Sequence, residues 1–221
     1  MHTYMRMGAK GLKLHPNFQR VHPNDPENFE LYEEYAIYQL PLIMHSGLTG
    51  RERNRKTFSS LEFLETIPRN FPNIPFVLGH AGISQYEKGI ALAQKYQNVY
   101  LELSGQPARH IHHALSAVGA DRLLFGTDWP FWNQAFALQA VRQATKHDHT
   151  AERRIFYENA VNSIFPLLYI YSLPVSLFTF SINPVSSSSE QDAGIKIINL
   201  LNGVFLFNSP EIPSNAPRSI L

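Results

Sequence analysis

Three short runs end on side chains able to move protons or hold a metal. They are Pro41-Leu-Ile-Met-His45, Ile74-Pro-Phe-Val-Leu-Gly-His80 and Leu123-Leu-Phe-Gly-Thr-Asp128. Each is apolar, stops abruptly on an imidazole or a carboxylate, and passes into turn residues: Ser46-Gly47, Ala81-Gly82 and Trp129-Pro130. Imidazole and carboxylate are the ligands that zinc and similar divalent ions take, and a catalytic site leaves one position open for water. A histidine beside such a water moves protons near neutral pH, since its ordinary pKa is about 6.5. Two further runs end on polar groups, Gly11-Leu-Lys13-Leu-His15 and Val99-Tyr-Leu-Glu102-Leu-Ser104. Side chains alternate along a strand, so Lys13 shares a face with His15, and Glu102 with Ser104.

Each residue also has a plainer reading. A lone histidine at a strand end is often satisfied by a backbone group, Asp128 before Trp-Pro can cap a turn, and Lys13 can serve structure or an anion. His45, His80 and Asp128 are set apart by their joint placement at three strand stops. His110, His112 and His113 are expected on the surface at the start of a helix, because spacings of two and one share no helical face. His147 and His149 have the same expectation at a helix-to-loop junction.

The elements that must position these groups alternate regularly from Lys10 to Phe165. Strand-like runs are followed by helix candidates at Asp25–Tyr38, Phe58–Asn70, Tyr86–Tyr96, Ile111–Val118, Gln134–His147 and Ala151–Phe165. Asp25-Pro26 has the form of an N-cap and first-turn proline, and Leu61, Phe63, Leu64 and Ile67 form an apolar stripe. Five strand–helix units in succession point to an α/β fold with a parallel sheet covered by helices. A doubly wound sheet and a (β/α) barrel both fit, although five units fall short of an eight-unit barrel of about 250 residues. Ligands bind at the carboxyl ends of the strands in either case. A doubly wound nucleotide-binding domain predicts a Gly-rich loop after the first strand, and Leu-His-Pro-Asn-Phe offers none.

Composition narrows the class. Charged residues make up 17% of 221 with a formal net charge of +1, a balance that suggests no nucleic-acid partner. Without cysteine, any metal site must use histidine and carboxylate, and there are 10 histidines to search. The N-terminal residues lack the apolar run of a signal peptide, which favours a cytoplasmic protein. The charge is unevenly spread: 32 of the 37 charged residues lie in 1–165 and five in 166–221. The expected organisation is a (β/α) part, 1–165, and an apolar, low-charge, irregular extension, 166–221. Its apolar stretch is broken by Pro174 and several serines, against the about 20 consecutive apolar residues of a membrane helix.

Six motifs in register resemble the amidohydrolase-related family of metal-dependent hydrolases and decarboxylases. They are Gly-Ala-Lys-Gly-Leu-Lys-Leu-His-Pro (8–16), Leu-Pro-Leu-Ile-Met-His-Ser-Gly (40–47), Phe-Val-Leu-Gly-His-Ala-Gly (76–82), Asn-Val-Tyr-Leu-Glu-Leu-Ser (98–104), Asp-Arg-Leu-Leu-Phe-Gly-Thr-Asp-Trp-Pro (121–130) and Ile-Phe-Tyr-Glu-Asn-Ala (155–160). The resemblance implies a partial TIM-type barrel, strands four to eight. It implies a divalent metal, zinc or manganese, with His45 as the fifth-strand ligand and Asp128 as the eighth-strand ligand that also shuttles a proton. It implies that His80 orients or deprotonates the metal-bound water or assists the substrate, and that Lys13 and His15 belong to a substrate-binding motif of variable role. The implied reaction is hydrolysis of a C–N or C–O bond, or non-oxidative decarboxylation, of a small molecule. The family's first strand carries a His-x-His pair, and none precedes Lys13: His2 stands alone, and His110-Ile-His112 has the spacing in the wrong place. The first three units are therefore expected to be absent, leaving open sheet edges through which the chain could self-associate. The alternative is a catalytically inactive homologue acting as a binding or regulatory chain.

Overall fold

The computed structural model describes residues 1–48 and 58–164. The expected extension, 166–221, and the last residue of the expected helix 151–165 lie outside the described residues. A short helix, α1 (His2–Arg6), leads to β1 (Leu12–Leu14), α2 (Pro16–Gln19) and α3 (Pro26–Ala36). β2 (Leu42–His45), α4 (Leu61–Leu64), α5 (Thr66–Asn70), β3 (Phe76–Gly79) and α6 (Tyr86–Lys95) follow. β4 (Val99–Glu102), α7 (Ala108–Val118), β5 (Leu123–Leu124), α8 (Gln134–Thr145) and α9 (His149–Arg153) complete the order. Two π-helical turns, Arg154–Glu158 and Ala160–Ile164, continue α9.

The five strands form one parallel sheet in the order β1-β2-β3-β4-β5, and helices fill every crossover. This is the expected α/β architecture, five units of a TIM-type barrel. Central strands read as unbroken apolar runs because both faces are covered. Leu42, Met44, Phe76, Leu78, Val99, Leu101 and Leu123 pack with Tyr35, Leu64, Ile90, Ile111 and Val141 from the helices in the main core. Burying one such aliphatic or aromatic side chain contributes roughly 1.5–3 kcal/mol. Alternation sends Ile43, Val77 and Leu124 to the other face, where Ile164 covers them. Register places Lys13 beside Ile43, Val77 beside Tyr100, and Glu102 beside Leu124, so the lysine and glutamate share this second face. Among the described residues no helix is long and apolar enough to cross a membrane.

Three elements depart from the sequence expectation. The helix expected over 58–70 is two pieces, α4 and α5. Pro68 sits in its second half and has no N–H to return to Leu64, which breaks the helical ladder. β5 is two residues long, because the Phe125 N–H turns away from the sheet to the Ile155 carbonyl at 3.0 Å. Asp128 therefore stands four residues past the strand, in left-handed backbone at φ 52°. α7 starts a turn earlier than expected, behind Pro107.

Candidate active site

The sheet's carboxyl edge is held together by the loops that follow β2 and β3. Gly47 has φ 87°, and a Cβ there would lie 1.8 Å from the Gly82 carbonyl oxygen, so only glycine lets the two loops touch. Ser46 Oγ donates to the Gly79 carbonyl at 2.7 Å, and Leu48 bridges to Ile83. His80 itself takes φ 61°, left-handed backbone that few residues with a Cβ adopt and that histidine, asparagine and aspartate adopt most readily, and its ring reaches across the edge.

That turn brings His80 against the last residue of β2: His80 Nε2 lies 3.1 Å from His45 Nδ1. His15 stacks flat on the other side of His45, centroids 3.9 Å apart, while its own Nδ1 accepts the Phe18 N–H at 3.4 Å to cap α2. Both histidines of the edge, His45 and His80, are buried. Burial first, then His15, His80 and Lys13, push the His45 imidazolium down to about 2, so His45 is neutral at physiological pH.

Glu102, at the end of β4, is buried beneath His80 and accepts three hydrogen bonds. The His80 N–H reaches Oε2 at 2.9 Å, the Ser104 N–H reaches Oε1 at 2.8 Å, and the Ser104 hydroxyl reaches Oε2 at 2.8 Å. Ser104 Oγ also meets His80 Nδ1 at 2.7 Å. Gly126 makes room for this carboxylate, since a Cβ there would sit 1.8 Å from Glu102 Oε1. Gln106 braces the turn from behind, donating to the carbonyls of His80 at 2.7 Å and Ile83 at 3.1 Å.

Lys13 reaches over from β1. Its Nζ passes beside Gly79, 3.5 Å from where a Cβ there would stand, which is ordinary contact distance. Dense surroundings hold its ammonium below the ordinary 10.5, against the opposing pull of Glu102 and Asp128. Asp128 is raised above the ordinary carboxylate range: burial dominates and Glu102 adds to it, while His80, Lys13 and a hydrogen bond from Trp132 resist. Trp132 packs on Gly105, with Cε2 3.2 Å from the place of a Cβ. Trp129-Pro130 is a cis peptide, and Trp129, Phe131 and Trp132 are exposed at this rim.

All five expected residues, Lys13, His15, His45, His80 and Asp128, thus face one edge. The expected surface histidines stay away from it, although His110 is half-buried, stacked on Tyr86 at 3.6 Å and bonded to Gln106. His112 and His113 are exposed. Glu102 and Ser104 were visible in the sequence as a pair on one face. Gln106 and Gly126 carried no signal beyond following a strand-like run. The donor types suit a divalent ion, yet among the described residues no group of three or more His, Asp or Glu is arranged to hold one. The described residues alone do not make a metal cage.

The family model described as "Amidohydrolase" matches residues 3–162. Comparison with curated proteins finds no match. Among solved structures, an uncharacterised TIM-barrel protein from Bordetella bronchiseptica is similar with a TM-score of 0.57 at 22% identity, over 73% of this chain and 59% of that one. 5-Carboxyvanillate decarboxylase from Sphingomonas paucimobilis is similar with a TM-score of 0.53 at 17% identity, over 71% of this chain and 58% of that one. The corresponding decarboxylase from Novosphingobium aromaticivorans, complexed with manganese and 4-hydroxy-3-methoxy-5-nitrobenzoic acid, has a TM-score of 0.51 at 16% identity, over 69% of this chain and 55% of that one. The chain thus spans less than two thirds of the length of these structures, which share its fold.

Proposed function

The chain belongs to the amidohydrolase family, and from that premise we propose that its sheet edge is one side of an acid–base centre for a small carboxylic acid. The reaction is either hydrolysis of a C–N or C–O bond or loss of carbon dioxide without a redox step. What supports the reading is the convergence of one cation, two imidazoles and one carboxyl from four strand–loop junctions: Lys13, His45, His80 and Asp128. Lys13 holds the substrate carboxylate. Asp128 shuttles a proton to the leaving atom or to the carbon that loses the carboxylate. His80 exchanges a proton with substrate or water, and His15 backs the His45 ring. Residues 1–165 are the catalytic unit in this reading and 166–221 a separate extension.

A divalent ion, zinc or manganese, would take His45 and Asp128 as ligands. A catalytic zinc ordinarily has three protein ligands and an open position, so a full cage needs donors beyond the described residues. Because two similar folds are decarboxylases of an aromatic acid, hydroxybenzoates with added zinc or manganese are the first substrates to assay, followed by amides and lactones. Turnover is expected with about one bound metal per chain. Asp128→Ala should lose the metal, and His80→Asn should lower kcat by about 10²–10⁴, the usual contribution of a positioned acid–base group. A chain that retains no metal and turns over none of these compounds overturns the enzyme reading. It leaves the second one, a binding chain, which the incomplete donor set favours and which predicts saturable carboxylate binding without chemistry.

A further inference from the structure

The hydrogen bonds around Glu102 have a direction, and it runs all the way to His45. Both backbone N–H groups, of His80 and Ser104, point at the Glu102 oxygens, so that side chain acts there as an acceptor. The Ser104 hydroxyl has one proton, and its oxygen lies 2.8 Å from Glu102 Oε2 and 2.7 Å from His80 Nδ1. If that proton went to His80, the serine oxygen and the carboxylate oxygen would face each other lone pair to lone pair. It goes to the carboxylate, the stronger acceptor. Ser104 Oγ must then accept from His80, which places a proton on Nδ1. His80 Nε2 is left with a lone pair, and at 3.1 Å it takes the proton of His45 Nδ1. A neutral imidazole has one donor and one acceptor nitrogen, so each assignment fixes the next.

We propose that Glu102 and Ser104 are positioning residues that lock His80 as the Nδ1–H tautomer and so turn the lone pair of its Nε2 to His45. His45 follows as an Nδ1–H imidazole whose Nε2 carries the lone pair. The four groups are buried, which removes the water that would otherwise scramble the tautomers. The carboxylate does not touch substrate; it acts through serine and imidazole. This rests on the acid–base reading only for what His80 goes on to do.

The test is the imidazole nitrogen spectrum of the full, ¹⁵N-labelled chain after metal is removed by a chelator. Signals are assigned by their disappearance in His80→Gln and His45→Gln. The expected pattern for His80 is a protonated Nδ1 and an unprotonated Nε2, with the same pattern for His45. Ser104→Ala should move His80 towards the Nε2–H form, and Ser104→Thr, which keeps the hydroxyl, should restore Nδ1–H. A wild-type His80 protonated on Nε2, or a tautomer indifferent to Ser104→Ala, overturns the proposal. The wild-type spectrum decides even where a variant fails to fold. Turnover without the Nδ1–H signature sinks the relay and spares the proposed function, whereas the signature without turnover does the reverse.

Discussion

Lys13 brings a cation to a face that it shares with apolar neighbours, and two carboxyl side chains, Glu102 and Asp128, pull on it from different strands. Burial opposes the charge and the carboxyls favour it; in the proposed reading a substrate carboxylate is the further partner of this ammonium. Replacing it with an apolar chain of similar length, Lys13→Met, should weaken binding of a benzoate-type carboxylate by about 10–150-fold. That range corresponds to the roughly 1.5–3 kcal/mol of a hydrogen bond to a charged group. Calorimetric titration checks it; unchanged affinity would remove Lys13 from the binding role. Gly126 is the companion residue. A methyl there meets Glu102 Oε1 at 1.8 Å and Cδ at 2.7 Å, and the carboxylate is pinned by three donors. Gly126→Ala should cost about 1–3 kcal/mol, the ordinary range for overpacking, and urea denaturation measures it. The motif Gly-Thr-Asp-Trp-Pro named Asp128 from sequence alone, but it gave no reason for its glycine, because the oxygen that needs the space comes from 24 residues earlier in the chain.

At the scale of elements, the site depends on two loops that seal against each other. The contact between Gly47 and Gly82 and the Ser46 bond to Gly79 hold the ends of β2 and β3 in step, which fixes the His45–His80 distance. Gly47→Ala combines a forbidden approach to a backbone carbonyl with a φ of 87°, so neither side can yield by rotating a side chain. It should destabilise the fold by more than about 3 kcal/mol, beyond the range of an ordinary point substitution, as read by thermal denaturation. A variant that melts with the wild type would show that the loops have slack. The strand–turn motifs were legible because Gly and Ser punctuate them. The turn that swings His80 sideways was not, since its left-handed residues, His80 and Ala81, carry no local signature and are held by Glu102 and Gln106 from other elements.

Across the whole molecule, Tyr32 and Tyr35 of α3 anchor the helix layer, and Tyr35 Oη donates to the Pro41 carbonyl at 2.7 Å. Burial raises both phenols above the ordinary 10.0, Tyr32 to about 12. The unfolded chain ionises first, so their contribution is fully present below pH 10.0 and is lost as pH rises towards the folded values. Denaturation midpoints should fall above pH 10, and Tyr32→Phe should flatten that fall; an unchanged slope would show that the phenols are not its source. The sheet ends at β1 and β5 among the described residues, and unpaired strand edges invite another strand. Self-association that grows with concentration in sedimentation velocity is the expected outcome, and a monomer at every concentration would argue against pairing through these edges.

The sequence by itself determined the five strand–helix units, a parallel sheet and the polar residues that follow its strands. These follow from local apolar periodicity and turn chemistry, which each segment carries within itself. Only the tertiary structure decided that Ser104 meets His80, that His80 meets His45, and that Gly126 is vacant for Glu102. Those relations join residues 24 to 35 positions apart, and they exist only once register and backbone turns are set. Proton direction along Glu102, Ser104, His80 and His45 is therefore a property of the packed edge, as only Glu102 and Ser104 share a motif and the links to His80 and His45 cross between strands.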